Sequence, residues 1–181
     1  MLFAELVQKR QSDRKYTNQP ISTEHVLQII ESARLAPSAS NSQPWTFVVV
    51  DKEPTRTEMA KATITNGLPI NKFALDAPVI IAIDIEQPKP LTRFAGWLKK
   101  RDFPWIDIGI AAEHICLQAT ELGIGSCMIG WFDESKVKQL LKIPKNKKVG
   151  LLITLGYTPD NYLHRQKIRK PLNNVLKFNS Y

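Results

Sequence analysis

Apolar residues recur along this chain at two spacings, and the change from one to the other divides it into helices and strands. From Leu2 to Lys9, Leu2 and Leu6 share one side with Phe3 and Val7 beside them, which predicts a helix lying on a core. Arg10 to Tyr16 breaks that pattern. Pro20, Ser22 and Thr23 then supply a helix start, and Val26, Ile29, Ile30 and Ala33 repeat at helical spacing up to Pro37. Trp45 to Val50 reads as a strand and Asp51 to Thr55 as a turn and cap. Glu58 to about Thr65 reads as a third helix, ended by Gly67 and Pro69. Pro78 to Ile85 is almost continuously β-branched, as an interior strand screened on both faces would be.

The stretch from Gln87 to Phe103 is mixed. Pro88, Pro90 and Pro104 punctuate it, and Phe94, Trp97 and Leu98 stand among Arg93, Lys99, Lys100 and Arg101. That fits a mobile cover with an apolar underside, and equally a surface helix anchored by two aromatics. From Ile106 to Leu122, residues Ile108, Ala111, Ile115, Ala119 and Leu122 recur at intervals of three and four, with Ile106, Ile110 and Leu117 as a second apolar row. Only Asp107, His114, Gln118 and Glu121 form a polar stripe, so the helix is either buried or shared with a second subunit. Gly123 and Gly125 stop it. Ser126 to Ile129 is a short strand or extended loop, Asp133 caps a helix over Glu134 to Leu141, and Asn146 to Val149 leads into a strand ending near Tyr157. The tail from Arg169 to Tyr181 carries Leu172, Val175, Leu176 and Phe178 without a period that would fold alone, so the rest of the chain or a partner must supply an apolar surface. No internal repeat or low-complexity linker interrupts the chain, and interleaved strands and helices predict a three-layer α/β or α+β domain.

Composition narrows the function classes. The 181 residues fit one domain, and 43% hydrophobic content argues against disorder. Lys and Arg number 25 against 17 Asp and Glu, a net charge of +8 that suits nucleic acid, membrane headgroups or a phosphorylated small molecule. The basic residues fall in short groups, at Lys9 to Lys15, Lys99 to Arg101, Lys136 to Lys148 and His164 to Lys170, without aromatics at base-stacking intervals. Nucleic acid is therefore the weaker reading. Cys116 and Cys127 have no partner pair with metal-ligand spacing, so packed thiols and no metal site are expected. No apolar run reaches bilayer length and the first residues lack signal-peptide order, so no membrane partner and a reduced cytoplasmic setting are expected.

Two stretches hold candidate chemistry. Between Pro37 and Pro44, Ser38, Ser40, Asn41, Ser42 and Gln43 crowd polar groups together, as a loop binding a flat polar molecule would, or as a turn rich in breaker residues would. Arg10, Gln11, Ser12 and Arg14 form a dense donor set able to take a phosphate monoester, and Arg165, Lys167 and Arg169 project to one side if that segment is extended. The two sets meet only if the fold joins the chain ends; otherwise they are solvated basic surface. His25, His114 and His164 lack a nucleophile in a recognisable setting, and there is no G-x-G-x-x-G, P-loop or H-E-x-x-H. An enzyme with this sequence takes its chemistry from a cofactor.

Four segments together resemble the nitroreductase family of FMN-dependent oxidoreductases: Arg10 to Tyr16, Ala36 to Trp45, Leu122 to Asp133, and Leu155 to Pro159 followed by Lys167 to Leu172. Their order and spacing cover nearly the whole chain. The resemblance implies a single α+β domain over residues 1–181, with a central mostly antiparallel sheet flanked by helices, forming a homodimer with exchanged C-terminal tails. It implies that Arg10, Lys167 and Arg169 hold the FMN phosphate, with Gln11 and Ser12 at the phosphate and ribityl chain and Arg14 near the pyrimidine edge. Pro37, Ser38, Ser40, Asn41 and Gln43 match the loop that reaches the flavin from the other subunit, and Met128, Ile129 and Gly130 match the segment along the ring. The implied reaction is ping-pong hydride transfer through flavin N5, from NADH or NADPH to a small nitroaromatic or quinone-like acceptor, with no essential side-chain acid or base.

The chain departs from that pattern in two places. The helical excursion that shapes the acceptor pocket is reduced to residues 87–103, a possible cover, and Gly130 stands where an acidic residue is usual. Asn71 and Lys72 are the nearest candidates for polar residues expected after the third helix. The alternatives are a flavin-binding protein of another superfamily branch, whether dehalogenase-like, a dehydrogenase or a low-turnover sensor, and more remotely a basic nucleic-acid-binding module.

Overall fold

In the computed structural model, which describes residues 1–64 and 70–181, four strands form one antiparallel sheet. They are β1 (Trp45–Val50), β2 (Val79–Ile85), β3 (Gly125–Ile129) and β4 (Lys148–Gly156), in the order β1-β2-β4-β3. The helices are α1 (Phe3–Lys9), α2 (Thr23–Arg34), α3 (Thr55–Ala62), α4 (Pro90–Lys99), α5 (Phe103–Glu121), α6 (Glu134–Leu141) and α7 (Leu172–Val175).

Central strands sort their side chains with the two-residue period of a pleated sheet. Val79, Ile81 and Ile83 of β2 join Ile153 and Leu155 of β4 in a core shared with Ile29 and Ala33 of α2 and Ile108, Ala111 and Ile115 of α5. Ile80 and Ala82 point the other way, to Met59 and Ala60 of α3 and Val137 of α6. The sheet is thus the middle of three layers, and β2 is the screened interior strand that its β-branched run predicts.

Several boundaries differ from the sequence reading. Helix α3 begins at Thr55 rather than Glu58, because the Glu53 carboxylate accepts from the Thr57 N–H at 3.2 Å and caps the first turn earlier. Its predicted end at Thr65, Gly67 and Pro69 lies outside the described residues. Gly123, at φ +75°, ends α5, but Gly125 opens β3 instead of serving as a stop. Helix α1 rests on α5 but buries none of its residues fully, with Leu6 half-buried and Phe3 70% exposed, so the predicted packing on a core is only partly made within this chain.

Residues 90–99 are helical, but the aromatics are not the anchors. Thr92 and Gly96 are the buried positions, while Phe94 and Trp97 are 59% and 74% exposed. A Cβ at Gly96 would stand 2.7 Å from the Arg101 carbonyl oxygen, so the small face is what lets the helix dock.

Candidate functional site

The chain leaves α1 at Arg10 in extended backbone and runs beside β3. The Asp13 N–H donates to the Ser126 carbonyl at 2.8 Å, and the Ser126 N–H donates back to Asp13 Oδ2 at 3.2 Å. Gly125 makes room for this carboxylate, since a Cβ there would meet Asp13 Oδ2 and Thr158 Cγ2 at 2.9 Å each. The Tyr16 hydroxyl donates to the Asp13 carbonyl at 2.8 Å and lies 2.8 Å from Thr154 Oγ1. Burial dominates both groups: it raises the Asp13 carboxyl above its ordinary value and the Tyr16 phenol well above its own.

The far end of the chain closes over the same loop. His164 Nε2–H donates to the Lys9 carbonyl, the Arg165 N–H donates to Gln11 Oε1 at 3.1 Å, and the Arg165 guanidinium donates to the Ser12 carbonyl. The Lys167 ammonium donates to the Arg10 carbonyl, and the Tyr162 hydroxyl accepts from the Arg14 N–H at 3.0 Å. The two basic sets therefore meet. Arg169 stands near enough to act on the Lys167 charge, but its guanidinium donates to the Ile168 carbonyl rather than to the 10–14 segment, and Arg14 is exposed with its guanidinium 5.9 Å from the Phe73 ring centre.

This convergence is electrostatically incomplete. Arg10 Nε is buried and has no hydrogen-bond partner; Glu113 Oε1 stands 3.4 Å away, close enough for Coulomb attraction but not for a well-directed bond. The Lys167 ammonium is pushed below its ordinary pKa, first by burial and then by the Arg10 and Arg169 cations. Cations crowded this way favour an anion, and a phosphate offers the acceptor oxygens that Arg10 lacks. Beyond Ser126, Met128 is half-buried, Ile129 lies in the core, and Gly130 is exposed. Nothing lies within 4 Å of a Cβ built at Gly130, so a flat group has open space over that backbone. These residues fit a phosphorylated planar cofactor.

The second candidate stretch is built differently. Ser40, Asn41 and Gln43 all adopt left-handed backbone, at φ 52°, 50° and 49°, without being glycine. Each such residue costs on the order of 1 kcal/mol, so the surroundings must hold them. The Gln43 N–H donates to Ser38 Oγ at 2.9 Å and Gln43 Nε2 donates to Asn41 Oδ1 at 3.0 Å. From outside the loop, the Ala39 N–H donates to both carboxylate oxygens of Asp107, at 3.1 and 3.2 Å, and Ser42 Oγ lies 3.0 Å from Thr92 Oγ1. Asp107 is buried, which raises its pKa, while the Ala39 bond opposes that shift. Pro37, Ser40, Asn41 and Gln43 remain exposed and Ser38 half-buried.

Within one chain the two stretches are fastened to different sides of the same helix. Asp107 and Glu113 both lie on α5, but six residues separate them, about 9 Å along the axis and about 120° around it. A cavity of about 950 Å³ lies under α4 against the ends of β2 and β4, lined by Arg93, Trp97, Phe103, Trp105 and Lys147 among others. None of the predicted site residues lines it. A shallower cleft of about 580 Å³ borders the basic cluster and is lined in part by Glu5, His164, Arg165 and Lys167. The convergence of cations is the better guide to the site, because it gathers the charged donors that an anionic ligand needs.

Sequence reasoning missed Asp13 and Asp107, the two buried carboxylates that fasten these stretches. Asp107 carries the clearer signal, as an acid near the start of an otherwise apolar helix. Cys116 and Cys127 are buried as expected, and burial pushes the Cys116 thiol up to about 12. Among the described residues no His, Cys, Asp and Glu group could hold a metal, and no helix is long and apolar enough to cross a membrane.

The model of the nitroreductase family matches residues 7–157, which include both fastened stretches and the whole sheet. The chain belongs to the nitroreductase family. Within that family it is 30% identical to an oxygen-insensitive NADPH nitroreductase from Helicobacter acinonychis, over 91% of this chain and 88% of that protein. A nitroreductase family protein from Streptococcus pneumoniae has the same fold, with a TM-score of 0.83 at 30% identity over 98% of this chain and all of that one. An FMN-dependent nitroreductase from Clostridium difficile superposes with a TM-score of 0.80 at 27% identity, over 99% of this chain and all of that one. The α+β nitroreductase fold is thus established, and its relatives support an enzyme of the oxidoreductase class.

Proposed function

We propose that the chain is an FMN-dependent NAD(P)H oxidoreductase that works as a homodimer on small nitroaromatic or quinone-like acceptors. The observation that carries this reading is the meeting of Arg10 and Lys167, whose charges crowd one another while buried Arg10 Nε lacks a hydrogen-bond partner. The NADPH-dependent and FMN-dependent relatives supply the chemical class. Bound at this site, FMN would supply hydride transfer at N5 between the nicotinamide donor and the oxidised acceptor, in two half-reactions.

Each residue then has a physical task. Arg10 and Lys167 hold the phosphate by charge-assisted hydrogen bonds, Ser12 and Gln11 orient the adjoining chain, and Arg169 can swing from the Ile168 carbonyl to add a third cation. Arg14 offers positive charge toward the edge where reduction develops negative charge. The Met128 to Gly130 backbone presents its exposed end to the ring without a side chain at Gly130. Loop 37–43 serves the partner's site, which agrees with its being fastened to a different side of α5 from the basic cluster. Helix α4 turns Phe94 and Trp97 outward, where they can cover the acceptor side of that shared site.

The test is cofactor affinity. Arg10→Ala is expected to weaken FMN binding about tenfold or more, since a charge-assisted bond contributes about 1.5–3 kcal/mol and each 1.4 kcal/mol is a factor of ten. Titration with FMN, followed by quenching of its fluorescence, reads this directly. Unchanged affinity would contradict the phosphate assignment.

A further inference from the structure

Loop 38–43 is held in a conformation that its own residues do not favour. Three of its six residues are left-handed without glycine, and all three are exposed. Such backbone persists only where neighbouring groups over-determine it. The Ala39 N–H, one residue before the first of them, is gripped by both oxygens of Asp107, a side chain only 3% exposed. Burying a carboxylate to satisfy one amide is unfavourable unless the amide must stay where it is. A neutral residue would suit the apolar start of α5 better if packing were the only requirement. Further anchors are Thr92 to Ser42 Oγ and the Lys89 ammonium to the Ser40 carbonyl at 3.4 Å, from the adjoining helix α4 and its N-cap, and the Trp45 N–H to the Gln43 carbonyl at 2.8 Å.

We propose that Asp107 is a positioning residue for the cofactor loop: by accepting the Ala39 N–H it keeps Ser40, Asn41 and Gln43 in the left-handed, outward-facing arrangement that the flavin site uses. The inference rests on the flavin reading for its consequence, and on the loop geometry alone for its cause. The acceptor atom is what matters, not the negative charge, so asparagine can replace aspartate and alanine cannot.

The test uses the full-length protein with Asp107→Ala and Asp107→Asn, and reads two quantities. Amide hydrogen exchange without cofactor reports the loop itself, with the β2 amides as an internal control for global opening. FMN titration reports the consequence. In Asp107→Ala the Ala39 to Ser42 amides should exchange about tenfold faster or more with β2 unchanged, and FMN should bind about tenfold more weakly. Asp107→Asn should restore both to within about threefold of the original protein. Unchanged loop exchange in Asp107→Ala would overturn the proposal, as would a loosened loop with unchanged FMN affinity, or an asparagine variant as impaired as alanine. If the original protein binds no FMN, the flavin reading fails, and the exchange result alone decides whether Asp107 holds the loop. Should Asp107→Ala not fold, Asp107→Glu asks the same question, because it displaces the acceptor by one methylene.

Discussion

Asp13, Asp84 and Asp107 are three carboxylates that the fold takes out of water, and burial raises each above the ordinary value of 3.8. A raised folded-state pKa means that the unfolded chain ionises first as pH rises. Each group therefore penalises folding progressively from about 3.8 up to its folded value, and by a constant amount above it. Asp107→Asn removes that penalty but keeps the acceptor. Its stability relative to the original protein is predicted to improve as pH rises above about 4 and to level off once pH passes the raised folded-state value, as read by urea unfolding at a series of pH values. A difference independent of pH would show that Asp107 does not titrate above its ordinary range. At Lys167 the shift is downward, since its charge too is disfavoured, by burial and by the neighbouring Arg10 cation. Lys167→Met should weaken FMN about tenfold while leaving the cofactor-free protein at least as stable, apart from the lost bond to the Arg10 carbonyl. A large loss of stability without loss of affinity would make Lys167 a strut rather than a ligand.

Among the elements, those whose burial is decided by their own residue types were legible in the sequence. The β-branched run of β2 and the i, i+3, i+4 apolar positions of α2 and α5 predicted interior packing, and the structure has it. Elements whose environment lies elsewhere were not legible. In α4 the sequence left a mobile cover and a helix anchored by its aromatics equally open, whereas Thr92 and Gly96 are the buried positions, because closeness to Arg101 and Phe103 matters more there than hydrophobicity. The basic sets were visible in the sequence, but their meeting depends on the segment after β4 returning to α1. Gly156 at the end of β4 has a comparable hidden constraint. A Cβ there would stand 2.7 Å from Tyr16 Cδ1 and 2.8 Å from Pro78 Cδ, and the Tyr16 ring is fixed by its hydroxyl bonds. Gly156→Ala is predicted to cost about 1–3 kcal/mol in chemical denaturation, whereas Gly130→Ala, with open space around it, should leave stability nearly unchanged. Equal effects at the two glycines would refute this account of β4 and its neighbours.

At the scale of the whole molecule, much of the apolar surface has no cover within one chain. Phe3 on α1, Ile106 on α5, Leu172 and Val175 on α7, and Phe178 in the tail are all more than half exposed. Patches of this kind mark association surfaces, and a second copy is the partner that the proposed shared flavin site would require. Removing residues 171–181 is predicted to shift the protein toward monomer in sedimentation equilibrium and to weaken FMN binding, while the far-ultraviolet circular dichroism loses no more than the short helix α7 contributes. A truncated protein that dimerises as well as the full chain would contradict the tail exchange. The claim on which the rest depends is that the basic cluster holds a redox-active flavin. The most direct measurement is a visible absorption spectrum of the purified protein supplied with FMN, followed without oxygen by additions of NADH, NADPH and then a quinone or nitroaromatic. The account predicts bound-flavin bands that bleach with a nicotinamide donor and return with the acceptor. A protein that stays colourless with FMN present in excess and removed by filtration, or bands that neither donor bleaches, would contradict it.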